Sequence, residues 1–102
     1  MLDRITPLIL TFDEEPNIER TLSRLRWARE VVVVDSGSQD ATRTIVGRFE
    51  NARLIEHVFT SHAEQWNFGL TETMIRTDWV LALDADYMVP ESLVEDMSAL
   101  AP

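Results

Sequence analysis

The run Val31-Val32-Val33-Val34 constrains the fold of this chain more than any other feature. Four consecutive β-branched residues favour a strand. A strand without polar alternation is buried on both faces, the habit of parallel sheets covered by helices on each side. The rest of the 102-residue chain fits that demand. Residues 7–11 (PLILT), 52–56 (ARLIE) and 79–83 (WVLAL) predict three more strands, the last again continuously apolar. Helical patterns lie between them. Pro16 suits a first helical turn, and Ile18, Leu22 and Leu25 follow on one face. Asp13, Glu14 and Glu15 precede that helix and Arg24, Arg26 and Arg29 end it, which complements its dipole. A second helix places Ala41, Ile45 and Phe49 on one face, with Ser38 or Asp40 as its cap. Ser61 and Glu64 have capping-box spacing, and the helix they open turns Ala63, Trp66, Leu70 and Met74 inward. Pro90 begins a last helix bearing Leu93, Val94, Met97 and Leu100. Four β-α repeats mean an α/β sandwich with a mostly parallel four-stranded sheet and right-handed crossovers.

Composition excludes several functions. Nine Arg and no Lys face 18 acids, a formal charge of −9. Phosphate-backbone binding needs clustered basic groups, so nucleic acid is not a partner. An anionic membrane surface is disfavoured for the same reason. With no cysteine, disulfides, thiolate metal sites and Cys nucleophiles are absent. The absence of Lys removes a P-loop, and no G-x-G-x-x-G is present. No apolar run reaches membrane-span length, and the first residues lack a signal-peptide core. The expectation is a cytoplasmic protein. Six of the acids lie between residues 77 and 102, where no basic residue balances them.

In open α/β sheets ligands bind beyond the carboxyl ends of the strands. Three of those ends carry acids: residues 11–14, Asp35, and residues 84–86. Asp84-Ala85-Asp86 is the most informative. Carboxylates spaced i, i+2 point to one side of an extended segment, where they repel each other unless a cation intervenes. Hard oxygen donors suit Mg²⁺ or Mn²⁺, with water or phosphate oxygens completing the shell. Asp35 can accept from a base imide N–H or a sugar hydroxyl, or it can cap the backbone of residues 36–38; position alone leaves the two equal. Phe12 can stack on a base or pack on a neighbouring helix. Glu14 and Asp13 stand where the first strand meets its helix and can serve a ligand or the helix dipole. His57 and His62 read as surface residues, Asn67 as a structural hydrogen-bonding group, and Trp27, Trp66 and Trp79 as core or half-buried.

Three blocks together resemble family 2 glycosyltransferases: LILTFDEEPNI (8–18), VVVVDSGSQDAT (31–42) and WVLALDAD (79–86). Their order and spacing match, with the bacterial lipopolysaccharide-core glucosyltransferases as the nearest branch. The resemblance implies a Rossmann-like GT-A fold, a nucleotide-diphospho-sugar donor, a divalent cation and inverting transfer to a saccharide or lipid-linked acceptor hydroxyl. It implies that Thr11 and Phe12 lie by the base, that Asp35 contacts it and that Glu14 lines the donor site. Asp84 would meet the ribose or donor sugar and share the metal with Asp86. Asp13 stands where Asn is usual, and Tyr87 where an acid is frequent.

A family 2 catalytic domain is about twice this length. The expectation is therefore a truncated, donor-binding part over residues 1–102. The general base would lie beyond Pro102, and the chain alone would be inactive. Uncovered apolar surface predicts self-association, and missing segments would hold the protein against the inner membrane. Two other readings fit parts of the pattern. One is a nucleotide- or partner-binding module without chemistry. The other is a haloacid-dehalogenase-type phosphohydrolase, since Leu83-Asp84-Ala85-Asp86 fits its nucleophile string, although Met88 replaces the usual Thr or Val.

Overall fold

A computed structural model describes residues 1–100. All four strands are present: β1 (Ile5–Thr11), β2 (Val31–Asp35), β3 (Ala52–Glu56) and β4 (Trp79–Leu83). They form one sheet in the order β3-β2-β1-β4, with every pairing parallel. The helices are α1 (Ile18–Ser23), α2 (Thr42–Val46), α3 (His62–Thr71) and α4 (Glu91–Ser98). β1 begins two residues before the expected start at Pro7. It pairs with β4 from Ile5↔Trp79, but with β2 only from Leu8↔Val32. Pro7 thus has a single neighbouring strand, where a missing N–H is tolerated.

The valine run does what its pattern demands. All four valines are fully buried. Val31 and Val33 face a core shared with Ile9, Ile18, Leu22, Leu25, Ile45 and Phe49. Val32 and Val34 face the other way, with Leu8, Trp66 and Phe68. Each such side chain stabilises the fold by about 1.5–3 kcal/mol. α1, α2 and α4 cover the first face and α3 covers the second.

Chain order matters for function. β1, β2 and β3 are laid down in one direction, and β4 returns to the far side of β1. The connecting α3 lies on the opposite face from α1 and α2, as right-handed crossovers require. Where strand order reverses, a crevice opens beyond the carboxyl ends of the two strands on either side of the reversal. Here those strands are β1 and β4.

Several expectations change. On α3 the inward residues are Gln65 and Gly69, with Trp66 and Phe68 half-buried, whereas Ala63 and Leu70 are exposed. Met74 lies beyond the helix end, is 69% exposed, and has a left-handed backbone, φ 60°. β4 is an edge strand, so Trp79 is 58% exposed rather than core. Leu100 follows α4 and is exposed. Asn67 is exposed and makes no side-chain hydrogen bond among the described residues. No helix among the described residues is long and apolar enough to cross a membrane.

Candidate functional site

Two loops leave the carboxyl end of the sheet side by side: residues 12–17 after β1 and residues 36–41 after β2. Hydrogen bonds stitch them together. The Asp13 N–H donates to Ser38 Oγ (2.8 Å) and the Glu14 N–H to Thr42 Oγ1 (2.8 Å). In return Gln39 N–H donates to Asp13 Oδ1 and Ala41 N–H to Glu15 Oε1, both at 2.8 Å. Glu15 N–H reaches Asp40 Oδ2 at 3.1 Å. Asp40 also accepts from Thr42 N–H (2.9 Å) just ahead of α2, whose N-cap is Ala41 with no side-chain cap, so neither Ser38 nor Asp40 stands at the expected cap position. Asp13 has φ 52°. This left-handed conformation is accessible to Asp and Asn and strained for most other residues.

Asp35 sits beneath these loops, fully buried. Its Oδ1 accepts from Thr11 Oγ1 (2.7 Å) and Ser38 Oγ (2.5 Å). Its Oδ2 accepts from the backbone of Gly37 (3.0 Å) and Ser38 (2.8 Å). Gly37 has φ 104°, which a side chain would strain and which lets two successive N–H groups meet one oxygen. Burial alone would raise the Asp35 pKa. The Ser38 hydroxyl and N–H, the Thr11 hydroxyl and the Gly37 N–H outweigh it and hold the carboxyl below its ordinary value. Of the two roles the sequence left open for Asp35, the cap on residues 36–38 is therefore visible in its contacts.

The aspartates after β4 differ in setting. The strand ends at Leu83, and the next residues form a turn closed by Tyr87 N–H to Asp84 O (3.1 Å). Ala85 points inward and its carbonyl accepts from Thr21 Oγ1 (2.5 Å). Asp84 and Asp86 are both exposed, and neither carboxylate has a hydrogen-bonding or ionic partner among the described residues. Both line a cavity of about 380 Å³ with Leu10, Glu14, His62, Trp66, Leu83 and Ala85. The two thus line one cavity from a turn and not from the extended segment that the i, i+2 reading assumed.

A second cavity, about 170 Å³, opens beside it and is lined by Thr11, Phe12, Ser36, Phe59 and Gln65. Leu10, Glu14 and His62 line both. The two are lobes of one groove over the carboxyl ends of β2, β1 and β4, at the reversal of strand order. Phe12 is 57% exposed in the smaller lobe, so its ring face is available for stacking. Another hollow, about 650 Å³, lies among the amino ends of the strands. Six of its seven charged side chains pair with one another (Arg4–Asp78, Arg29–Asp3 and Arg53–Glu30), and Arg76 is the one without an ion pair among the described residues.

The donor chemistry of Asp84 and Asp86 fits a hard divalent cation, with a condition. Among the described residues no three acidic or histidine side chains gather closely enough to hold an ion unaided. Two carboxylates would supply part of a shell and leave the rest to water and phosphate oxygens.

His62 is a surface residue as expected, and it also lines both lobes. The Ser61 cap carried the signal, since it puts His62 on the first turn of a helix that begins at the sheet's carboxyl end. The cap is made by one bond, Glu64 N–H to Ser61 Oγ (3.1 Å). The Glu64 carboxylate turns to His57 and Thr60 instead of closing the box. His57 is half-buried, its ring stacked on Phe68 at 3.7 Å. Ser36, Phe59 and Gln65 gave no sequence signal, because each reaches the groove only through packing.

The chain matches the profile of Glycosyl transferase family 2 over residues 8–101. It is 32% identical over 95 residues to an uncharacterized glycosyltransferase of Rickettsia bellii, covering 92% of this chain and 31% of that one. It is 27% identical over 95 residues to the lipopolysaccharide core biosynthesis glycosyltransferase LpsC of Rhizobium meliloti, covering 89% and 34%. A crystal structure of S. aureus TarS in complex with UDP superposes with a TM-score of 0.78 at 24% identity, over 94% of this chain and 31% of that one. The chain thus spans about a third of the length of the relatives it matches. The profile match sets aside the phosphohydrolase reading of residues 83–86. It runs from within the first strand to beyond the last helix, and on that ground the chain belongs to glycosyl transferase family 2.

Proposed function

We propose that this chain binds the nucleotide-sugar donor of an inverting glycosyltransferase that forms part of a cell-envelope polysaccharide. One observation carries the reading: the groove at the strand-order reversal has a lobe with an exposed aromatic ring joined to a lobe with two unpaired carboxylates. The first lobe suits a base and the second a diphosphate with its cation. Similarity to LpsC supports an envelope saccharide as the acceptor.

In this reading the base stacks on Phe12 beside Thr11, and Glu14 meets the ribose or sugar at the junction of the lobes. Asp35 holds the floor of the site through Thr11 and Ser38 and stays ionised inside the protein. Asp84 and Asp86 would hold Mg²⁺ or Mn²⁺, which when bound would neutralise charge on the departing diphosphate. His62 faces both lobes from the start of α3, where helix N–H groups favour an anion. An acceptor hydroxyl must lose its proton as it attacks. We assign that base to a part of the enzyme outside residues 1–102, which on this reading form the donor-binding portion of the catalytic domain. A cytoplasmic location, peripheral to the inner membrane, goes with such a donor and acceptor.

A thermal-shift panel of UDP, GDP, ADP and dTDP, each with and without Mn²⁺, tests the reading. A nucleotide at about 100 times its Kd should stabilise the chain by roughly 2.7 kcal/mol. The stabilisation should need the metal and disappear in Asp86→Ala. A folded chain that no nucleotide stabilises would exclude the reading.

A further inference from the structure

Nothing among the described residues holds the Asp84 and Asp86 carboxylates directly, so their aim depends on the backbone that carries them. That backbone has little sheet to lean on. β4 is an edge strand, and its register with β1 ends at Ile9↔Leu83. Beyond it the Ala85 side chain is buried in the core with Ile18, Leu22 and Val89. The Tyr87 N–H closes the turn onto the Asp84 carbonyl (3.1 Å). The Ala85 carbonyl accepts from Thr21 Oγ1 at 2.5 Å, the one side-chain hydrogen bond to residues 84–86 among the described residues.

Thr21 is fully buried on α1, beside Ile18 and Leu22. A valine would fill the same space, and a buried hydroxyl is costly unless it is bonded. Within a helix a Thr hydroxyl ordinarily turns back to the carbonyl four residues earlier. Here that carbonyl, of Asn17, is 3.2 Å away, while the Ala85 carbonyl is at 2.5 Å. The hydroxyl has one proton, and the shorter contact to Ala85 takes it. A peptide unit is planar. Holding the Ala85 carbonyl therefore fixes the plane that runs on to the Asp86 N–H and Cα, and with it the direction in which the Asp86 side chain sets out. α1 also follows directly from Glu14, whose carbonyl accepts from Ile18 N–H (2.9 Å) and whose side chain lines the same cavity as the two aspartates. The Thr21 bond thus ties the turn after β4 to the segment that carries Glu14. We propose that Thr21 is a positioning residue, whose hydroxyl holds that turn so that Asp84 and Asp86 present their carboxylates to one divalent cation. The inference rests on the donor-site reading above and adds to it a buried residue of α1. Groups that orient metal-binding side chains from behind are typically worth about ten- to a hundredfold in metal affinity.

The test measures UDP binding by titration calorimetry, with Mn²⁺ and with EDTA, in the native chain and in two variants. Thr21→Val keeps the shape and removes the hydroxyl. Thr21→Ser keeps the hydroxyl and removes the methyl group. In Thr21→Val the tightening of UDP binding by Mn²⁺ should fall by about tenfold or more, with binding in EDTA unchanged. In Thr21→Ser the tightening should stay native, although the lost methyl group lowers the thermal midpoint. A role in packing alone predicts the opposite order. Native metal dependence in Thr21→Val, or its loss in Thr21→Ser, overturns the proposal. If Thr21→Val does not fold by circular dichroism, Thr21→Ala takes its place, since it differs from Thr21→Ser only in the hydroxyl. Metal dependence kept in Thr21→Ser and lost in Thr21→Ala supports the proposal, and equal metal dependence in the two overturns it. Each of these outcomes concerns Thr21 alone. A folded native chain that binds no UDP, or binds it without regard to Mn²⁺, overturns the donor-site reading as well.

Discussion

Both carboxylate oxygens of Asp35 are taken by groups of its own loop and by Thr11. An Asn there would turn an amide NH₂ toward donors. Asp35→Asn should therefore lower stability at neutral pH by about 1–3 kcal/mol, the size of a buried polar group left unpaired. The pH dependence has a definite sign. The folded pKa lies below the ordinary one, and an unfolded Asp titrates near 3.9. The Asp35 contribution is thus present in full above about pH 4 and is lost as pH falls through the lower, folded value. Urea unfolding from neutral pH down to about pH 3 should show a shallower acid decline in Asp35→Asn than in the native chain. Equal declines would mean that Asp35 is not the group responsible. Sequence spacing could propose the cap from Asp35 to residues 36–38. It could not show that Thr11 and the Ser38 hydroxyl also arrive and fill every acceptor position, because those contacts depend on strand register. Gln65 was silent for the same reason: a polar residue on a helix declares nothing until its neighbours are known.

At the scale of elements, the four strands were legible because their patterns are strong, and Val31–Asp35 most of all. Helix α3 was not. Ala63, Trp66, Leu70 and Met74 make a convincing helical stripe, but the sheet is reached through Gln65 and Gly69. The reason is distance. A Cβ on Gly69 would lie 2.9 Å from Leu8 Cδ2 and 3.0 Å from Cδ1, so the helix approaches β1 more closely than any larger residue allows. Gly69→Ala gains up to about 1 kcal/mol in helix propensity but overpacks a fully buried Leu8, at about 1–3 kcal/mol. A net loss of about 1 kcal/mol is expected in urea unfolding. The loss should shrink when Leu8→Val makes room, since touching residues are not additive. A stabilised Gly69→Ala would show that the close approach is relaxed in solution. β4 was misjudged in the other direction: an all-apolar strand reads as doubly covered, yet nothing in its sequence says that it stands at an edge.

For the molecule as a whole, the two sheet edges differ. The β3 edge carries charged residues, with Arg53 paired to Glu30 and Glu56 to Arg43. The β4 edge is apolar, with Trp79 and Ala82 exposed and no charge between Trp79 and Leu83. Unguarded strand edges recruit other strands. Light scattering over a concentration series should show association of the chain, and Ala82→Lys should suppress it. A monomer at every concentration would show that this edge does not pair. The charge of −9 also divides once the groove is known. Asp13, Glu15, Asp35 and Asp40 are occupied in holding loops, while Glu14, Asp84 and Asp86 face the groove. The sequence located the ends of β1, β2 and β4 as the places for a site. It could not show the two lobes, whose walls come from four separate stretches of chain. The stitching of the loops after β1 and β2 has a consequence for affinity. The freedom that a slack loop would surrender on docking has already been surrendered when the protein folds. On the donor-site reading, a ligand would therefore meet loops that need little further ordering, and little of its affinity would go into arranging them.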